Sequence, residues 1–274
     1  NIFHLRNFQI SIEEDKSPHL IITGKNGSGK TSILNAIVEH LDYIKEDVSK
    51  DFASLKDNLK RFQKWQKDNT DPNDTLSIER SVMYYQDRIK KYFGKVEIDF
   101  TDIDSLIRNY QESKFIIAFY QADRKVRMSE PINPTKPNIK EKWNVKETAT
   151  QEFLNFLSDL KIQEALARNE KLEEEANVIT QWFSEFEGLL KEVFQDDDLR
   201  LVFNYKDYSF RIGTEGKSFK FTEMSDGFAA VLDVIVDLIL KMQNKDKLTR
   251  AYEQEGIVLI DEIETHLHLE LQKI

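Results

Sequence analysis

Apolar side chains follow two rhythms along this chain, and each change of rhythm marks a new segment. Ile2-Phe3-His4-Leu5 and Phe8-Gln9-Ile10-Ser11-Ile12 predict short strands. The run His19-Leu20-Ile21-Ile22-Thr23, β-branched and apolar after Pro18, predicts a buried one. Ile33, Leu34, Ile37, Val38, Leu41 and Ile44 then recur at helical spacing, so residues 1–45 read as strands, loop and helix. Residues 46–112 are polar and mostly helical in period. Phe115–Tyr120 predicts another buried strand, and Pro131, Pro134 and Pro137 hold the following stretch out of helix and central strand alike.

Helical spacing returns at Phe153, Phe156, Leu157 and Leu160, and again at Phe183, Phe186, Leu190 and Val193. Alternation follows in Leu201, Phe203 and Tyr205, in Tyr208, Phe210 and Ile212, and in Phe219 and Phe221. With Gly213 and Gly216 placed in a turn, this predicts a small antiparallel meander. A strongly apolar helix runs from Phe228 through Val231, Leu232, Ile235 and Leu238 to Met242. The fully apolar Ile257-Val258-Leu259-Ile260 fits a strand in the middle of a parallel sheet. The pattern is α/β, without repeats and without heptads long enough for an extended coiled coil.

Composition narrows the chemistry. The 274 residues contain no cysteine, which excludes a disulfide scaffold, a thiolate zinc site and a cysteine nucleophile. No apolar run approaches the roughly 18 residues of a membrane span and no signal peptide opens the chain, so a cytosolic protein with no membrane partner is expected. The net charge of −10 argues against a duplex binder coated in lysine. Residues 151–200 carry much of it, with 13 acidic and 5 basic side chains. Lys56, Lys60, Lys64 and Lys67, with Arg61 beside them, fall near one helix face, interleaved with Phe62 and Trp65. A solvated helix face is the simpler reading, and a surface tracking a nucleic-acid backbone is the sharper one.

Three short motifs carry chemistry. Gly24-Lys25-Asn26-Gly27-Ser28-Gly29-Lys30-Thr31 matches the phosphate-binding P-loop pattern without a gap, and Ser32 follows it into the helix. Its glycines let successive amides turn inward, and it ends at a helix N-terminus whose dipole favours phosphate. Lys30 is expected to reach the β- and γ-phosphates of ATP, and Thr31 to place its hydroxyl on Mg²⁺. Asp261 and Glu262 end the last apolar strand, where Asp261 is expected to orient Mg²⁺ and Glu262 to act as general base toward water. Ser225 and Gly227, in Thr222-Glu223-Met224-Ser225-Asp226-Gly227-Phe228, open a second helix N-terminus able to meet an anion.

Together these motifs resemble the ABC-type ATPases. Met224-Ser225-Asp226-Gly227-Phe228 is similar to their Leu-Ser-Gly-Gly-Gln signature, keeping the serine and the second glycine and departing at the other three positions. The continuation Ile263-Glu264-Thr265-His266-Leu267-His268 resembles the Asp-Glu-x-Glu-x-His-Leu-His stretch of bacterial ATPases related to the overcoming-lysogenization-defect (OLD) family and to RecF- and SMC-type proteins. The pair His266 and His268 also admits a metal-ligand reading.

The resemblance implies a P-loop NTPase of the ABC-ATPase type with a mixed sheet core, an antiparallel meander and a helical insertion and arm. It implies that Asn26 through Ser32, Gln121 and His268 line the nucleotide, that Gln121 also senses Mg²⁺, and that Ser225 and Gly227 act on nucleotide held by a partner subunit. Arg124 is an alternative contact residue to Gln121. The segments divide as residues 1–45, 46–112, 113–147, 148–198 and 199–274. The short helical segments point to the compact ATPases of bacterial anti-phage defence, such as the AriA-like ATPases of PARIS and the PtuA-like ATPases of Septu and retron systems. A homodimer or higher oligomer is then expected, with a nuclease or toxin effector as partner. A DNA-repair or DNA-end-binding ATPase of the RecF class is the alternative, with nucleic acid meeting the Lys56–Lys67 face. The ABC-type fold also calls for another strand after Glu262, so the sequence is expected to belong to a longer protein.

Overall fold

The computed structural model describes residues 9–10, 19–42, 48–68, 71–93, 96, 98, 100–122, 128–131, 133, 135–243 and 254–262. They form two compact units, divided between Ile117 and Ala118.

The first unit is helical among its described residues up to the strand β1 (Phe115–Tyr120) that leaves it. Helix α1 (Lys30–Asp42) buries Ala36, Val38, His40 and Leu41, the inner stripe that the apolar spacing requires. Its His40 ring lies 3.1 Å from the carbonyl of Val96. Helices α2 (Val48–Asp68) and α3 (Pro72–Phe93) pack against each other, with Phe62 stacked on Tyr85 at 5.5 Å and Leu55, Ile78 and Val82 buried. Helix α4 (Ile103–Gln111) starts at Asp102, whose carboxylate accepts the Ser105 amide at 2.9 Å and caps the first turn. Burial, with the Asp42 carboxylate, pushes the Tyr110 phenol on α4 up to about 12.

The second unit is built around aromatic side chains. Helices α5 (Phe153–Asn169) and α6 (Glu173–Phe194) form a hairpin. Lys171, at φ 63°, makes the reversal between them possible. Its amide bonds Arg168 and the next amide, Leu172, bonds Ala167, the paired hydrogen bonds of a Schellman end. Phe153, Leu157 and Leu160 of α5 meet Trp182, Phe186 and Leu190 of α6 in one core. Strands β2 (Arg200–Asn204), β3 (Ser209–Thr214) and β4 (Lys217–Lys220) cover this core as an antiparallel sheet in the order β2-β3-β4. The register Leu201↔Ile212↔Phe219 and Phe203↔Phe210 puts the apolar alternation on the inner face. Helix α7 (Asp226–Met242) adds Leu232, Val236, Ile239 and Leu240, and Phe194 stacks on Phe228 at 4.7 Å. Strand β5 (Glu255–Ile260) pairs with β1.

Three local expectations are corrected. Residues 19–23 do not form a strand, and Leu20 and Ile21 are 47% and 82% exposed. A β-branched run supplies propensity, but a strand exists only through ladder partners, and none is described for this one. Val258 on β5 is 42% exposed and β5 has β1 as its described neighbour, so it is not buried on both faces as a central strand would be. Gly213 lies inside β3 opposite Arg200, while Gly216, at φ 71°, takes the turn. The left-handed backbone needed to reverse the chain falls on that second glycine alone.

Candidate nucleotide site

In the first unit, residues 24–31 adopt the conformation that their glycines permit. Gly27 and Gly29 have φ of 80° and 97°, values a side chain would strain. A Cβ on Gly24 would lie 2.6 Å from Ser28 Oγ, so the chain passes close to itself at the loop's start. The Ser28 amide donates to Lys25 O at 3.0 Å, and the Ile33 amide to Gly29 O at 2.9 Å as α1 begins. Asn26 and Thr31 are exposed, and Lys30 Nζ donates to Gly24 O at 2.8 Å. The loop and the first turn of α1 thus offer backbone amides, the Lys30 ammonium and the Thr31 hydroxyl at a helix N-terminus, a donor set that fits the phosphates of ATP.

Within the second unit, Gln121 and Asp261 come to the same end of a strand pair. Gln121 is the first residue after β1 and is exposed, and Asp261 is the first after β5 and is buried. The Asp261 amide donates to Tyr120 O at 2.8 Å, which fixes the two strand ends beside each other. Glu262 follows at φ 49°, a left-handed conformation unusual for glutamate. Backbone strain of this kind concentrates where a side chain must be aimed rather than merely accommodated. Among the described residues there is no group of three or more His, Asp or Glu able to hold a metal alone. Mg²⁺ does not need one, because it is bound by one or two carboxylates together with nucleotide phosphates. Asp261 offers a carboxylate of the right kind for it.

Ser225 stands at the N-cap of α7 with ψ 150°, and its carbonyl accepts the Ala229 amide at 2.9 Å. Its side chain does not cap the helix, contrary to the usual role of an N-cap serine. The approach to it is braced. The Lys220 amide donates to Glu223 at 2.8 Å, and Thr222 Oγ1 donates to Glu130 at 3.4 Å. Gly227 lies in the first turn and is half-buried. His268 and Arg124 lie outside the described residues, as does the stretch from Ile263 onward. The cations of α2 are solvent-facing at Lys60, Arg61, Lys64 and Lys67, with Lys56 half-buried. Arg61 stands 5.5 Å from the Phe62 and Trp65 rings, so aromatic packing holds part of that face.

One cluster escaped the sequence reading. Asp237 and Lys241, on the buried side of α7, form an ion pair at 2.8 Å with side chains 0% and 1% exposed. Asp237 also accepts from Tyr120 Oη at 2.6 Å, from Thr148 Oγ1 at 3.0 Å and from the Ala149 amide. The available signal was Asp237 and Lys241 four apart within an otherwise apolar helical run.

Among the described residues, no helix is long and apolar enough to cross a membrane. No solved structure matches the chain. It is 27% identical over 277 residues to the Septu protein PtuA of Bacillus mycoides (strain KBAB4), covering 98% of this chain and 33% of that protein. The chain therefore spans about a third of the length of that relative. The family model described as an AAA domain, putative AbiEii toxin, Type IV TA system matches residues 20–274, and the chain belongs to this family of P-loop NTPase domains.

Proposed function

We propose that this chain is the nucleotide core of an ABC-type ATPase of bacterial anti-phage defence, which controls a nuclease or toxin effector through ATP-dependent association of its subunits. The observation that carries the reading is the P-loop itself, with Gly27 and Gly29 in left-handed conformations and Lys30 over the loop at the start of α1. The similarity to a Septu protein over nearly the whole chain supports a place among the defence ATPases that the motifs resemble.

Each residue has a role in this reading. The amides of residues 26–32 and the Lys30 ammonium bind the β- and γ-phosphates and offset their charge. Thr31 and Asp261 hold Mg²⁺, which, when bound, neutralises charge on the transferred phosphoryl group. Glu262 takes the proton of the attacking water, and its constrained backbone aims the carboxylate. Gln121 reports the occupancy of the site from the end of β1. Ser225 and Gly227 complete a partner subunit's site, for which the uncapped Ser225 hydroxyl is suited. His268 approaches the partner's nucleotide from the other side.

The test is the mass of the complete protein with and without ATP, by light scattering, using Glu262→Gln to hold the nucleotide unhydrolysed. A larger assembly with ATP than without is expected. An unchanged mass with ATP demonstrably bound would remove the association step and leave a simple nucleotide-binding domain.

A further inference from the structure

We infer that Tyr120 and Asp237 are positioning residues that tie the Gln121–Asp261 edge to helix α7, and thereby set where Ser225 stands. The inference rests on the ATPase reading and adds to it a connection that passes through the core of the second unit.

Tyr120 is engaged at both ends. Its carbonyl accepts the Asp261 amide at 2.8 Å, and its hydroxyl donates to Asp237 at 2.6 Å. Its backbone therefore follows the strand ends that carry Gln121 and Asp261, while its side chain is anchored in α7. Asp237 in turn has both oxygens occupied, Oδ1 by Thr148 and Ala149, and Oδ2 by Tyr120 and Lys241. Lys241 lies 5.5 Å from the Tyr120 ring, closing the cluster on itself.

Stability does not require such a group. Replacing a buried ion pair by well-packed apolar residues is often neutral or stabilising, because desolvation offsets the attraction. What a fully satisfied buried polar network adds is fixed relative position, since each partner holds the others at hydrogen-bond length. α7 is continuous from Asp226 to Met242, so a displacement at Asp237 is carried about 16 Å along the axis to its first turn. Phe194 stacks on Phe228 in that first turn, and the bonds of Glu223 and Glu130 hold the chain that leads into it, so a shift of α7 moves Ser225 against a fixed approach.

The experiment measures ATP hydrolysis against ATP concentration in the complete protein for wild type, Lys30→Ala, Tyr120→Phe and Asp237→Asn. Tyr120→Phe keeps the ring and leaves Asp237 with Lys241, Thr148 and Ala149. Its kcat should fall about tenfold or more while KM for ATP and the melting temperature stay close to wild type, as expected when reacting groups are misplaced rather than lost. Hydrogen exchange of residues 226–230 should respond to ATP in wild type and not in Tyr120→Phe. Asp237→Asn should show the same split of kcat from KM. Wild-type kcat and a retained exchange response in Tyr120→Phe, beside an inactive Lys30→Ala, would overturn the positioning role alone. A wild-type rate in Lys30→Ala would overturn the ATPase reading and this inference with it.

Discussion

Lys30 bends its ammonium back over the loop that precedes it and donates to the carbonyl of Gly24 at 2.8 Å. The charge is thereby held at the mouth of the P-loop by the loop's own backbone. Lys30→Ala should weaken ATP binding by at least about a hundredfold, since several charge-assisted contacts to phosphate are lost together. Its melting temperature should stay near wild type, because the bonds its ammonium makes are to exposed loop carbonyls at Gly24 and Lys25. Isothermal titration with ATP checks the first part and differential scanning calorimetry the second.

Gly29 carries the most positive φ in the loop, 97°, with nothing within 4 Å of where a Cβ would lie. Gly29→Ala is therefore opposed by backbone strain rather than by crowding, at a cost of roughly 1–3 kcal/mol. The expected result is a loop that relaxes out of its phosphate-binding shape, lowering ATP affinity together with a small fall in melting temperature. Unchanged ATP affinity would mean that the left-handed conformation at Gly29 is not what binds phosphate.

Glu262 and Ser225 should separate binding from turnover in different ways. Glu262→Gln should keep ATP affinity and lose roughly 10²–10⁴-fold in rate, the usual contribution of a positioned general base. Ser225→Arg should also bind ATP but fail to assemble a composite site, so mixing it with Lys30→Ala protein should restore part of the activity. Full turnover by Ser225→Arg alone would end the claim that it acts on a partner's nucleotide.

Phe153 is fully buried and meets Phe186 at 5.4 Å and Phe221 at 6.2 Å. Phe153→Ala should cost about 3–5 kcal/mol through the lost apolar contact and the cavity left between these rings. Urea unfolding followed by tryptophan fluorescence should show the midpoint fall, since Trp182 lies in the same cluster.

The glycine turn of residues 24–31 and the helix it opens were legible because they are local: two left-handed glycines and a helix start need no distant partner. Asp261 and Glu262 were legible as strand-end acids for the same reason. The helices α5, α6 and α7 followed from spacing alone, since an apolar stripe at helical period has few other uses. The run at residues 19–23 shows the limit of this reasoning, because strand propensity does not supply a ladder. The serine at the head of α7 shows another, since it occupies the N-cap position without using its hydroxyl as a cap.

By itself, the sequence determined the glycine-rich loop that opens α1, the acidic strand end, the helical stripes and the alternation of the meander, all features set by neighbours within a few positions. Only the tertiary structure decided that Asp237 and Lys241 lie in the core rather than in solvent, and that Tyr120 bridges Asp261 and α7. The physical reason is that charges four apart on a helix are compatible with either an exposed or a buried face. Burial became tolerable here through partners contributed from residues 120, 148 and 149, about ninety positions or more away, which no local pattern can supply.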